Sequence, residues 1–169
     1  MSIHITQVVS KNFKFFIFFI LTSLLFSCAI KQSNYVSTKT AVELMSMQTK
    51  DFEEKKELVF ASVISAFQDQ GYKIKSADVA SGFLAADGPT KESYSLWVGN
   101  IMDTLKATAH VEQMGSKLTK VRLNFVNEQK SSNDYGMEGG NDVPVEDPEF
   151  YQDIFSIISK AVYLRANLE

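Results

Sequence analysis

The alternation of apolar and polar residues between positions 104 and 125 limits the folds open to this chain more than any other feature. Apolar side chains occupy every second position on both sides of a turn at 115–117, namely Leu105, Ala107, Ala109 and Val111, then Val121, Leu123 and Phe125. Successive side chains of a β-strand point to opposite faces of its sheet. The pattern therefore predicts a β-hairpin with one apolar face and one polar face.

A helix is predicted over residues 52–70, because apolar residues recur there at helical spacing. The apolar positions are Val59, Phe60, Val63, Ile64, Ala66 and Phe67. Asp51 and Glu54 fit a capping box at its start, and Gly71 is typical of the residue that ends a helix.

A second helix is predicted to begin after Asp147 as its N-cap, with Pro148 in the first turn, where a missing N–H costs nothing. Two adjacent apolar stripes follow, formed by Phe150, Ile154, Ile157 and Ala161 and by Tyr151, Phe155, Ile158 and Val162. An apolar face of this width predicts deep burial against a sheet.

Short strand patterns lie between the two predicted helices. Residues 72–75 alternate between apolar and basic side chains, and a turn is predicted at 81–82. Residues 83–86 are predicted as a short strand that ends at the turn-forming residues 87–89.

Three further segments carry weaker patterns. Residues 42–49 are predicted as an edge strand. Residues 90–102 fit a strand and a helix equally well, so Trp97 and Tyr94 form either part of the core or an exposed aromatic patch. Residues 128–147 are polar, glycine-rich and acidic, which predicts a solvated loop.

Together these elements predict an α+β two-layer sandwich, with an antiparallel sheet of about four strands and two helices packed on one face. The polar face of the sheet would then carry a set of basic side chains toward solvent. We interpret these side chains as a possible partner surface, formed by Lys73, Lys75, Lys106, His110, Lys120 and Arg122. A charge run of this kind is also typical of a plain solvated face.

The N-terminal segment has the parts of a secretory signal. Lys11 and Lys14 precede an apolar run from Phe15 to Phe26, and Cys28, the only cysteine in the chain, follows it. This run of about a dozen residues is shorter than the roughly 20 that cross a bilayer core, which favours a signal segment over a transmembrane helix.

Leu25, Ser27 and Cys28 resemble the lipobox of bacterial lipoproteins, although Phe26 is bulkier than the residue usual at that place. The resemblance implies cleavage before Cys28, a diacylglyceryl thioether on its sulfur and an amide-linked chain such as palmitate. The alternative is an ordinary signal peptide with an incidental cysteine. Position 29 lacks the aspartate that retains many lipoproteins in the inner membrane, which implies the outer membrane, facing the periplasm.

The chain therefore divides into a signal peptide (1–27), a lipidated cysteine with a flexible tether (28–41) and a single α+β domain (42–169). The signal peptide holds two of the 17 Lys and Arg residues and none of the 20 Asp and Glu residues. The remaining 142 residues carry a net charge of −5, which argues against nucleic-acid binding.

Three stretches resemble a family of uncharacterised outer-membrane lipoproteins with a small α+β domain. They are residues 48–52, residues 68–72, and residues 147–155 at the start of the last helix. These stretches carry helix ends and core aromatic residues rather than a catalytic motif, so the resemblance implies no reaction.

Few residues are candidates for chemistry. His110 is the only histidine beyond the signal peptide, but Thr108 and Glu112 beside it on the polar face favour a solvated histidine over a hydrolase site. Several oxygen-bearing residues form a weak cation candidate without EF-hand spacing, namely Asp134, Glu138, Asn141, Asp142, Glu146 and Asp147. We predict no enzyme activity, cofactor or metal.

The function that follows is a non-enzymatic lipoprotein that faces the periplasm and acts as a protein-interaction or envelope-assembly accessory module. The partner would be an unidentified envelope protein, with the membrane contacted through the acyl chains on Cys28. The alternative is a small module that binds a lipid or a cell-wall fragment in a groove between sheet and helices. A hydrolase that uses His110 is the third possibility.

Overall fold

The described residues of the computed structural model form a mixed α+β fold with an open, six-stranded antiparallel sheet and three helices. The structure describes residues 35, 37–96, 99–132 and 138–168. In chain order the elements are α1 (Ala41–Gln48), β1 (Thr49–Phe52), α2 (Lys56–Asp69), β2 (Lys73–Asp78), β3 (Phe83–Ser95), β4 (Gly99–Gly115), β5 (Leu118–Ser132), β6 (Glu138–Pro144) and α3 (Pro148–Ala166).

The sheet is ordered β1-β5-β4-β3-β2, and β6 also pairs with β5. Because β4 occupies one side of β5, both β1 and β6 lie along its other side. β1 pairs with residues 119–122 of β5, and β6 pairs with residues 126–132. A short gap in this edge therefore remains at residues 123–125.

The helices α2 and α3 cover one face of the sheet. Their buried side chains join the inward side chains of β3, β4 and β5 in one apolar cluster. Phe125 is at its centre, in ring contact with Phe67, Tyr72, Phe150 and Tyr151 at centroid distances of 4.9–6.2 Å. The predicted α+β class is confirmed, but the sheet has six strands instead of about four, and the described residues form three helices instead of two.

The predicted hairpin, the end of α2 and the start of α3 are also confirmed. Residues of β4 and β5 pair from Gly115 and Leu118 outward, and the alternating apolar side chains are buried except for Leu105, which is half-buried. Asp147 caps α3 by accepting from the N–H of Glu149. Gly71 ends α2 with φ +81°, a left-handed conformation that side-chain-bearing residues rarely adopt.

The start of the domain differs from the prediction. Residues 42–48 belong to helix α1 rather than to an edge strand, and only Thr49 is in a strand. The capping box lies at Thr40 and Glu43 rather than at Asp51 and Glu54. The prediction of a helix from residue 52 was wrong because Phe52 is buried as the last residue of a strand that pairs with β5.

The sheet is also larger than predicted. β3 continues past the predicted stop at 87–89 to Ser95, so the described part of 90–102 is strand except for Leu96, which begins the turn. Residues 128–147 contain the end of β5 and all of β6 instead of a loop. Polar sequence was a misleading signal here, because a strand that buries neither face needs no apolar alternation.

The sheet has two regions with different surroundings. The base consists of the helices and the sheet residues they cover, up to Asp87 in β3 and at 105–126 in β4 and β5. The arm consists of the strand segments beyond it, at 90–95, 99–104, 128–132 and 138–142. No residue of the arm is buried, whereas the base contains the whole apolar cluster.

An irregularity in β3 separates the two regions. The pairing of β3 with β4 shifts between Asp87 and Thr90. A Cβ on Gly88 would lie 2.8 Å from the carbonyl oxygen of Leu105 and 3.0 Å from the ring of Tyr72. Only glycine allows this close approach.

No helix among the described residues combines the length and the apolar content needed to cross a membrane.

Candidate partner-binding face

The uncovered face of the sheet, which we call the outer face, carries the basic residues that the sequence singled out. Lys73 and Lys75 lie on β2, Lys106 and His110 on β4, and Lys120 and Arg122 on β5. In the sheet register His110 is opposite Arg122 on one side and Phe83 on the other. The structure divides these basic residues into a paired group and an unpaired group.

The paired group forms a ladder of alternating charges across four strands. Asp87 accepts from Lys75 and Lys106, with N–O distances of 3.3 and 2.9 Å. Lys106 also lies 3.4 Å from Glu128, which in turn lies 3.2 Å from Lys130. These lysines already have carboxylate partners within the chain.

The charge ladder shifts the pKa values of its members. The hydrogen bond from Lys106 lowers the pKa of Asp87 below its usual range, and the same contact raises the pKa of Lys106. The hydrogen bond from Lys130 lowers the pKa of Glu128. Each shift favours the charged form, as expected for an ion-pair network.

The unpaired group consists of Lys120, Arg122 and His110, at the base. Within the part of the chain that the structure describes, neither Lys120 nor Arg122 lies within 4 Å of a carboxylate. Glu112 and Asp51 stand on either side of Lys120 in the register without an ion pair. Lys73 is likewise unpaired, but it lies apart on the opposite edge strand.

Helix α1 turns the unpaired group into one side of a groove. Val42 and Met45 point from α1 toward the outer face, and Val42 is 76% exposed. With His110, Lys120 and Arg122 they line a depression of about 500 Å³. Apolar side chains and free cations therefore share one concave surface.

A second depression continues the first one across the sheet. It has a volume of about 390 Å³ and shares His110 and Arg122 with its neighbour. Phe83, which is 52% exposed, lies at its far side, with its ring 6.3 Å from the ring of His110. We call the two depressions together the outer groove.

A buried polar cluster holds α1 beside the outer groove. Gln48 donates from Nε2 to the hydroxyl of Tyr151 at 3.3 Å, and the N–H of Phe125 donates to the same oxygen at 3.3 Å. Arg122 donates to Oε1 of Gln48 at 3.5 Å. The cluster fills the gap between β1 and β6, so α1 is fixed at the open part of this sheet edge.

His110 lacks the contacts that a hydrolase needs. Glu112 and Ser46 line the same depression, but the hydroxyl of Ser46 donates to the carbonyl of Glu43. In the described ranges no hydroxyl or carboxylate makes a hydrogen bond with the imidazole of His110. A Ser–His–acid arrangement requires both contacts.

The predicted cation candidates are spread rather than gathered. Glu138 and Asp142 lie on β6, Asp147 caps α3, and Asp134 falls outside the described residues. The described part of the chain contains no cluster of three or more His, Cys, Asp or Glu side chains placed to hold a metal ion.

The signal peptide and Cys28 also lie outside the described residues, so cleavage and lipidation stay predictions. Trp97 lies outside them as well, whereas Tyr94 is exposed on the arm.

Sequence reasoning missed the apolar part of the outer groove. Val42 and Met45 were assigned to a strand, and Phe83 was treated only as a strand residue. The signal that identifies α1 is its capping box, in which Thr40 and Glu43 exchange hydrogen bonds of 2.7 and 3.3 Å. The contact of α1 with the outer face has no local sequence signal.

No protein-family model matches the chain, and no curated protein is similar to it. Among solved structures, it is similar to the crystal structure of a DUF4468 family protein from Bacteroides ovatus ATCC 8483. The TM-score is 0.37 and the identity 11%, over 74% of this chain and 96% of that chain. The neighbour's family is itself of uncharacterised function, so the similarity assigns none here.

Proposed function

We propose that this protein is a non-enzymatic lipoprotein of the outer membrane that faces the periplasm and binds a segment of another envelope protein in its outer groove. The observation that carries the proposal is the coincidence of unpaired cations and exposed apolar side chains on one concave surface. The bound segment would carry an acidic side chain for Arg122 and Lys120 and an apolar side chain for Phe83 and Val42.

The contrast within the outer face supports this choice of surface. Lys75 and Lys106 are both ion-paired with Asp87, and Lys106 also with Glu128, so a partner carboxylate gains less by approaching them. Arg122 and Lys120 have no such partner among the described residues. A planar guanidinium also matches a carboxylate through two parallel hydrogen bonds.

The space between the helices and the sheet favours a protein partner over a lipid held inside the domain. Val59, Phe67, Leu84, Phe125 and Tyr151 are fully buried there and fill that layer with side chains. The outer groove is instead an open depression on a flat sheet, a shape suited to a peptide segment lying across it.

The lipid anchor is proposed on the sequence pattern at Cys28. Each methylene group buried in a bilayer contributes about 0.8 kcal/mol, so two or three acyl chains hold the protein on the membrane permanently. Mass spectrometry of the mature N-terminus should show an acylated cysteine at position 28, and Cys28→Ala should block processing there. A free thiol at that position would contradict the anchor.

Site-specific photocrosslinking in intact cells tests the groove. With a benzoylphenylalanine at position 83, we expect an adduct with one envelope protein. The same probe at position 163, an exposed tyrosine on α3, should give no such adduct. Arg122→Glu and Lys120→Glu should each reduce the adduct at position 83 several-fold, because they reverse the charge that attracts the partner.

A matched charge reversal at another position separates a local effect on binding from a general effect of net charge. Lys73→Glu changes an unpaired lysine on the opposite edge strand and should leave the adduct at position 83 unchanged. Equal adducts from positions 83 and 163, or an adduct at 83 that survives both charge reversals, would rule out the outer groove as the binding surface.

A further inference from the structure

The free end of the arm is apolar, although the rest of the arm is polar. Leu96 is 88% exposed at the end of β3, and Tyr94 is 64% exposed two residues before it. Met102 is also exposed and lies diagonally across from Tyr94, because Tyr94 pairs with Asn100 in the register. We call these three residues the arm tip.

The arm does not need an apolar tip for its own structure. Its strands are paired along their length, and polar side chains bridge them, with Thr90 and Thr104 3.0 Å apart and Gln129 donating to Asp103 at 2.9 Å. Among the described residues, no helix packs against either face of the arm. The exposed side chains of the arm tip therefore make no contribution to a core, and their exposure to water is unfavourable.

We propose that the arm tip inserts into the interfacial region of the lipid bilayer that holds the protein. Tyrosine and leucine at the end of a paired β-hairpin suit this region, where an aromatic ring sits at headgroup depth and an aliphatic side chain reaches the acyl boundary. This inference rests on the lipid anchor of the proposed function, because the anchor places the arm next to a bilayer.

The lipid anchor and the arm tip can contact the same membrane at the same time. The groove beside α1 includes His110, and the arm ends at Gly99, eleven residues before His110 in β4. A strand segment of eleven residues spans roughly 36 Å. Twelve residue steps separate Cys28 from the N-cap Thr40, and a chain of that length reaches at most about 40 Å. The domain can therefore lie lengthwise with its tether and its arm tip on the same membrane.

The contact of the arm tip with the bilayer should depend on the transfer of apolar side chains from water into lipid, rather than on charge. The three side chains of the arm tip are uncharged. Of the two charged residues opposite Met102 in the register, Lys130 is paired with Glu128, and Glu92 carries a negative charge that anionic lipid would repel. Binding to uncharged phosphatidylcholine vesicles should therefore change little with salt, unlike attraction between a basic patch and anionic lipid.

The single tryptophan provides a direct test. Trp97 follows Leu96 in the sequence and is the only tryptophan in the chain, so its fluorescence reports on this position without a label. The acylated protein would be reconstituted into phosphatidylcholine vesicles with and without bromine atoms on the acyl chains. We expect brominated lipid to quench the Trp97 emission strongly, and Leu96→Ser combined with Tyr94→Ser to remove most of the quenching.

Leu164→Ser is the matched control, because Leu164 is an exposed leucine on α3, away from the arm. It should leave the quenching unchanged. Protein that floats with the vesicles but shows no quenching would overturn the arm-tip insertion and leave the anchor standing. Protein that does not float would overturn both, because insertion of the arm tip requires the bilayer within reach of the tether.

Discussion

The base and the arm share β3, β4 and β5, yet different interactions hold the two regions together. In the base, α2 and α3 cover one sheet face, and Val111, Leu123 and Phe125 have no exposed surface. In the arm, the same strands continue with both faces in water and are joined by backbone pairing and cross-strand side-chain contacts. The comparison shows that strand pairing extends a sheet beyond its core, whereas apolar burial decides where the domain is stable.

The strongest test of this difference removes a side chain from the centre of the base. Phe125→Ala should cost about 3–5 kcal/mol of unfolding free energy, because it leaves a cavity among four aromatic rings. Met102→Ala in the arm should change it by less than about 0.5 kcal/mol. Urea denaturation of both variants measures the contrast, and similar costs would contradict the division into base and arm.

The polar cluster at the gap in the sheet edge gives a smaller effect. Tyr151→Phe keeps the buried ring but removes the hydroxyl that accepts from Gln48 and from the N–H of Phe125. Two donors are then left without that acceptor, at a cost of about 1–3 kcal/mol in unfolding free energy. Tyr163→Phe, on an exposed tyrosine, is the control and should be neutral. Equal stability of both variants and the native chain would show that water replaces the lost hydroxyl.

Hydrogen exchange compares the two regions without substitution. Both Ala109 in the base and Ile101 in the arm lie on the central strand β4, with neighbours on both sides. Because the arm opens without exposing apolar core, we expect the amide of Ile101 to exchange about tenfold faster or more. Mass spectrometry or NMR resolves the two segments. Uniform rates along β4 would mean that arm and base unfold as one unit.

The smallest expected effect concerns the charge ladder. Contact with Lys106 lowers the folded-state pKa of Asp87, so its contribution to stability is present above its unfolded-state pKa of about 3.9 and is lost as pH falls through the folded value. Asp87→Asn should therefore lower stability at pH 7 slightly and reduce the loss on acidification. Urea midpoints at pH 7 and pH 3 for both proteins measure this. If Asp87→Asn loses as much stability between pH 7 and pH 3 as the native chain, groups other than Asp87 cause the loss.

The sequence predicted the base better than the arm, for a physical reason. Burial on one sheet face requires the alternating apolar residues around Ala107 and Leu123. The backbone geometry of helix ends likewise requires particular residues, here Gly71 and Asp147. β6 has no alternating apolar pattern, because Gly139 and Asn141 lie on a strand with neither face buried. Its strand conformation comes from pairing with β5.

The outer groove was predictable only in part. The basic residues on the polar face follow from strand alternation, but their division into paired and unpaired groups depends on which carboxylates lie opposite them. Asp87 reaches Lys75 and Lys106 because β2, β3 and β4 are neighbours in the sheet. No spacing in the sequence indicates that Arg122 has no carboxylate partner among the described residues, or that Val42 lies beside it.

The sequence alone determined that this chain has an α+β base with one apolar and one polar sheet face, because periodic burial leaves a periodic pattern. It also supplies the signal and lipobox pattern that motivates the proposed anchor. Only the tertiary structure decided that α1 borders the polar face, that two of the six basic residues singled out on that face are ion-paired, and that the sheet continues into an arm. Those features arise from contacts between distant segments, which place no requirement on local sequence.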